Sequence, residues 1–139
     1  MMSNAAISWC SRKQSIVATS SCEAEYVALS MTCKEAVWLK RLLSDIPIQC
    51  DLTKGMRVFT DSQSAMKLGT NESINRRNKH IDITHHYVRE GTSNGEVTLL
   101  YVPTSEMVAD MLNKPLGRVK FEKLRRMCGV CAKGEIKTL

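Results

Sequence analysis

The sequence predicts an α/β domain. Three observations carry this: a long helical pattern from Ser20 to about Ser44, two short apolar strands at 56–60 and 96–102, and helical segments between and after them. At 139 residues the chain fits one domain and excludes a two-domain enzyme with independent cores. No apolar run approaches the ~18 residues of a membrane span. The opening Met1–Ala6 lacks the basic flank and apolar stretch of a signal peptide, so a soluble intracellular protein is expected.

The elements follow in order. Ala5-Ala6-Ile7-Ser8-Trp9-Cys10 alternates as a short strand, and Ser11–Gln14 is a polar break. Ser20, with Glu23 three residues on, forms a capping box that opens the long helix. Met56–Thr60 reads as a strand running straight into Asp61. Ser62–Leu68 then reads as a short helix stopped by Gly69. Thr70–Lys79 is polar and basic, a loop. Ile81–Glu90 has helical spacing with Gly91 as its stop, and Glu96–Val102 is a strand. A helix over Ser105–Leu112 follows Pro103-Thr104, and a basic helix from about Arg118 to Met127 stops at Gly129. The order is β-α-β-α-α-β-α-α.

The net charge of +6 is unevenly placed. Residues 1–113 carry 12 Lys+Arg and 12 Asp+Glu, whereas residues 114–139 carry 8 and 2. Such asymmetry fits a polyanionic partner or a solvated basic tail. The six cysteines read as free thiols. Cys128-Gly-Val-Cys131 is the one close pair, and without a second pair it is a weak zinc signal.

Three acids stand out. On a helical wheel Leu29, Ala36, Leu39 and Leu43 fall within about 40° of Glu25, which places Glu25 on the apolar stripe. Glu23 lies about 160° away, where a solvated capping carboxylate belongs. Asp61 sits at the carboxyl end of a strand that feeds a helix, the edge where open α/β sheets bind ligands. Asp110 lies in a short helix among apolar residues. Each has an ordinary alternative: Glu25 leaning out to solvent, Asp61 as a helix cap, Asp110 on an exposed face. Were the three to converge, hard oxygen ligands would suit magnesium, and two such ions can drive phosphodiester hydrolysis.

Several ordered motifs now bear on identity. Ala6–Gln14, Ser20–Leu29, Glu35–Leu39, Thr60–Ala65, Lys79–Ile83 and Tyr101–Leu116 together resemble the ribonuclease H domain of copia-type retrotransposon polyproteins. The resemblance spans roughly residues 5 to 130 and implies a ribonuclease H-like fold. It makes residues 1–130 a partial domain and 131–139 a C-terminal tail. It implies an endoribonuclease that hydrolyses the RNA strand of RNA–DNA hybrids with two Mg2+ (or Mn2+) ions. It casts Glu25, Asp61 and Asp110 as the catalytic, metal-holding carboxylates. Ser62 and Gln63 would meet the hybrid's minor groove, where 2′-hydroxyls mark the RNA strand. Arg76, Arg77 and Lys79 are candidates for phosphate contacts. The implied partners are the hybrid and the reverse transcriptase portion of the same polyprotein, with no membrane. The implied location is the cytoplasm, in a virus-like particle.

The sequence departs from the family in one consequential way. Members carry a fourth acid on a first strand, in a segment resembling Ser-Asp-Ala-Asp-Trp-Ala, and nothing like it precedes Ala5. The chain therefore reads as N-terminally truncated, lacking the first two strands of the sheet, with impaired catalysis. This leaves the strand near Ile7–Cys10 without its neighbours and exposes an edge beside Met56–Thr60, open to strand donation by a partner. His80, His85 and His86 read as helix or packing residues. The other reading is a non-catalytic nucleic-acid-binding relic or domesticated protein that uses the basic end.

Overall fold

A computed structural model describes residues 5–47, 54–70 and 82–131. Among them the element order is α1 (Ser21–Ser44), β1 (Met56–Thr60), α2 (Gln63–Thr70), α3 (Asp82–Ser93), β2 (Val97–Tyr101), α4 (Asp110–Asn113) and α5 (Arg118–Met127). The expected mixed α/β class holds, with a small two-stranded parallel sheet and five helices. The chain divides into two compact units, a larger one over Val17–Val102 and a smaller one formed by Met1–Ile16 with Pro103–Leu139.

In the larger unit, α1 starts where the capping box places it. The Ser20 hydroxyl accepts from the Glu23 N–H, and the helix then runs uninterrupted to Ser44. Its buried side chains, among them Tyr26, Leu29, Ser30, Cys33, Ala36 and Val37, make one stripe. That stripe packs with Val58, Ala65, Val88 and Val97 into a single core, flanked by Met56, Leu68, Tyr87 and Leu99. β1 and β2 pair in parallel, with Val58 opposite Leu99 and Phe59 opposite Leu100. Val58 and Thr60 point into the core, while Phe59 on the other face is 52% exposed. β1 has no second strand neighbour among the described residues.

Both glycine stops expected in this unit fall inside helices. α2 continues through Gly69, where a β-carbon would come within 2.9 Å of Leu99 Cδ1 and 3.1 Å of Val88 Cγ1. This glycine serves close packing between α2, α3 and β2 rather than termination. α3 runs through Gly91 and ends instead at Gly95, with φ of 68°. There the Gly95 N–H donates to Thr92 O and the Glu96 N–H to Gly91 O, the two bonds of a Schellman motif. The Thr92 hydroxyl and Arg89 Nε reach the Gly69 and Leu68 carbonyls, joining α3 to the end of α2.

In the smaller unit, α5 runs as expected over Arg118–Met127. It closes on a second Schellman motif at Gly129, where φ is 79°. Two expectations fail. The strand over residues 5–10 is reduced to an isolated bridge at Ala5, with the Ala6 N–H donating to Cys128 O at 3.2 Å. Trp9 is 72% exposed, and among the described residues no neighbouring strand completes a ladder with the alternating pattern. The helix expected over 105–112 shrinks to α4, Asp110–Asn113. Ahead of it the chain turns, with the Glu106 N–H on Pro103 O. The amides of Asp110, Met111 and Leu112 then donate three residues back, the tighter 3₁₀ pattern rather than an α-helical one.

Candidate functional site

Of the three singled-out acids, Glu25 and Asp61 belong to the larger unit and Asp110 to the smaller one. Glu25 stands on the second turn of α1 and is exposed. This corrects its expected place on the apolar stripe. The buried stripe centres on Cys33, and Glu25 lies about 80° round the helix from it, at the margin where a carboxylate can lean into solvent.

Glu23, expected to be solvated, is instead the buried acid of this helix at 7% exposure. It lies about 80° from Cys33 on the other flank, so angle alone does not separate the two glutamates. What separates them is a partner: Glu23 Oε2 accepts from both the backbone N–H and the hydroxyl of Thr19. A carboxylate with such donors at a helix N-terminus tolerates burial.

Asp61 follows β1 directly and is half-buried. The residues around it shape the strand-to-helix turn. Thr60 Oγ1 accepts from the Ser62 N–H at 3.2 Å, and Ser62 Oγ accepts from the Ala65 N–H at 3.2 Å. Ser62 therefore does the capping that Asp61 was weighed for, and the Asp61 carboxylate is not spent on it. Gln63 opens α2 and is exposed. Arg76, Arg77, Lys79 and His80 lie outside the described residues, as do the side chains of His85 and His86.

Asp110 is nearly fully buried, at 3% exposure, where an exposed helix face was the simplest expectation. Lys114 Nζ lies 2.6 Å from its Oδ1 and Lys120 Nζ 3.1 Å from its Oδ2. Burial pushes its pKa up, but hydrogen bonds and charge from the two lysines outweigh that and hold the carboxyl below its ordinary range. Lys114 stands four residues on, a spacing legible in the sequence. Lys120 comes from the next helix, and no spacing rule announces it.

The larger unit also holds two buried protic groups that the site does not use. Burial pushes the Cys33 thiol up to about 11 and the Tyr26 hydroxyl up to about 12, the latter despite the Arg89 charge. Lys34 lies 5.4 Å over the ring of Tyr87, a cation–π contact.

Two further cations of the basic end have acidic partners. Arg118 pairs with Glu122 at 2.8 Å, and Lys123 approaches Glu106 at 4.0 Å. Among the described residues, no group of three or more His, Cys, Asp or Glu side chains could hold a metal ion. Within the smaller unit, both Asp110 oxygens are engaged by ammonium groups.

This chain is similar to stretches of much longer proteins. It is 41% identical over 128 residues to the retrovirus-related Pol polyprotein from transposon TNT 1-94 of Nicotiana tabacum, a match covering 92% of the chain. Against the Pol polyproteins from transposons RE2 and RE1 of Arabidopsis thaliana it is 37% and 36% identical over 124 residues, 89% of the chain in each case. The chain spans only 8–9% of the length of these curated relatives. No family model matches the chain, and no solved structure does. Among the described residues no helix is long and apolar enough to cross a membrane.

Proposed function

We infer that this chain, homologous to part of the Pol polyproteins of plant transposons, is their ribonuclease H region and serves to hydrolyse the RNA strand of RNA–DNA hybrids. The observation that carries the reading is Asp61: a carboxylate not spent on capping, at the carboxyl end of a parallel strand, in a chain whose relatives are Pol polyproteins. Its ordered motifs, from Ser20–Leu29 through Tyr101–Leu116, resemble that domain of copia-type elements.

Asp61 and Glu25 are assigned as catalytic carboxylates that would hold the metal ions near the scissile phosphate. The resemblance gives the same role to Asp110. Ser62 accepts from Ala65 and keeps its own O–H to donate, and Gln63 is exposed beside it. Both suit the 2′-hydroxyls that distinguish RNA from DNA. The reading brings a requirement for magnesium or manganese, and the reverse transcriptase portion of such a polyprotein is the expected neighbour. Phosphate contacts are assigned to Arg76, Arg77 and Lys79.

The test is hybrid cleavage. The 128 aligned residues would replace the matching stretch of the tobacco Pol polyprotein, alongside the unmodified polyprotein and the 139-residue chain alone. With magnesium and an end-labelled RNA annealed to DNA, the chimera is expected to cut the RNA strand. Asp61→Asn should abolish cutting while primer extension persists. The 139-residue chain, which carries three of the family's four acids, is expected to bind hybrid without turnover. Undiminished cleavage by the Asp61→Asn chimera would overturn the reading.

The lysine-held state of Asp110 favours a second reading, binding without catalysis. A chimera that binds hybrid but leaves it intact, where the unmodified polyprotein cuts, would select it. Such binding should weaken steeply with salt through counterion release.

A further inference from the structure

Asp110 is the one buried acid among the described residues of the smaller unit. It opens α4 behind Ala109, which supplies no side-chain cap. Each of its oxygens has its own ammonium group, Lys114 on Oδ1 and Lys120 on Oδ2. Lys114 is the residue that ends α4, and Lys120 lies in the first turn of α5. One carboxylate thus joins two helices across the turn at Pro115–Gly117.

Little else in this unit does so. Leu124 is its sole buried hydrophobic residue among those described. Other ties there include the Lys123–Glu106 ion pair at 4.0 Å and single hydrogen bonds from the Ser11 hydroxyl to Leu112 O and from the Ala6 N–H to Cys128 O.

We infer that Asp110 serves this chain as the internal counter-ion of Lys114 and Lys120, an ion triad that fixes the α4–α5 corner and leaves neither oxygen available to a divalent cation. A metal would have to displace two ammonium groups from a carboxylate that is only 4% exposed. The assignment goes beyond the proposed hydrolysis, which rests on Asp61, and either can fail without the other.

Thermal melting of the 139-residue chain, without nucleic acid, tests it. Removing one partner of a buried ion set leaves an uncompensated charge, whereas replacing the whole set by apolar groups is close to neutral. In EDTA, the double variant Lys114→Met/Lys120→Met, which strands a buried carboxylate, should lower Tm by about 10 °C, and Asp110→Asn, which leaves two partly exposed ammonium groups, by a smaller amount. The triple variant Asp110→Leu/Lys114→Met/Lys120→Met should recover most of that loss. Millimolar magnesium should move the wild-type and Asp110→Asn melts alike.

A wild-type Tm raised by magnesium, with Asp110→Asn melting at or above wild type in EDTA and unmoved by the metal, would overturn the triad. Should the variants not fold, amine acetylation of the wild-type chain, read by mass spectrometry, decides the matter. Lys114 and Lys120 should react several-fold more slowly than the exposed Lys67, with or without magnesium. Equal rates for all three would sink the inference.

Discussion

Both polar hydrogens of Thr19 end on one oxygen of Glu23, the backbone N–H at 2.6 Å and the hydroxyl at 2.5 Å. The Glu23 N–H in turn reaches Ser20 Oγ at 3.1 Å. The first turn of α1 is therefore closed from both directions. Glu23→Ala should cost about 1–2 kcal/mol in urea unfolding, the loss of a cap with charge-assisted bonds. The exposed Glu25→Ala should stay within about 0.5 kcal/mol. Equal losses for the two would refute the division of labour between these glutamates.

Ser30 is buried in the middle of α1, and its hydroxyl has no hydrogen-bond partner among the described residues. An unpaired hydroxyl in an apolar core carries its full desolvation cost. Ser30→Ala should therefore raise stability by about 1 kcal/mol. A destabilised variant would mean that Ser30 has a partner in solution.

Gly55, just ahead of β1, faces the backbone of the α3–β2 turn. A β-carbon there would stand 2.6 Å from Gly95 O, and a carbonyl cannot rotate away as a side chain can. Gly55→Ala should cost about 1–3 kcal/mol through the shift it forces. Gly117, with nothing within 4 Å of its added carbon, is the control, and its alanine variant should change stability by less than about 0.5 kcal/mol.

Cys33 is buried, whereas Cys10 and Cys131 are exposed. Iodoacetamide should label the exposed pair first and reach Cys33 only as the chain unfolds. The same burial makes stability fall in alkali. The folded-state pKa of Cys33 is raised from 9.0 to about 11, so its contribution is intact below pH 9 and is lost as pH climbs towards 11. Tyr26 acts in the same direction from 10.0 towards about 12. Urea midpoints should drop more steeply between pH 9 and 11 in the wild type than in Cys33→Ala. Parallel curves would count against a buried thiol.

The parts of this fold readable in the sequence are those set by local chemistry. Ser20 and Glu23 mark the start of α1 because the bonds they make are only three residues apart. Gly129 marks the end of α5 because the bonds that close it, from the Gly129 and Val130 N–H groups to Arg126 O and Arg125 O, are local. Gly69 and Gly91 misled for the opposite reason: each lies within a helix, and Gly69 is packed against residues from elements elsewhere in the chain. The alternation over residues 5–10 describes a face, but a strand also needs a ladder, which no local pattern supplies. Glu23 and Glu25 sit at equal angles from the stripe's centre, so helical angle alone does not say which of them is buried, and the Thr19 donors on Glu23 lie outside that pattern. For Asp110 the acidic character was legible and Lys114 was within reach of a spacing rule. The second ammonium arrives from the next helix.

The parallel pairing of β1 with β2 has a consequence for the order of events in folding. Met56 finds Val97, and Val58 finds Leu99, only after the chain has travelled through α2 and α3, whereas the contacts within α1 are local. A hairpin could zip from its turn, but two parallel strands have no turn between them, and the loop-closure entropy falls due before any ladder bond forms. The sheet at whose end Asp61 stands is thus expected to consolidate late, after α1 has already acquired its helical turns.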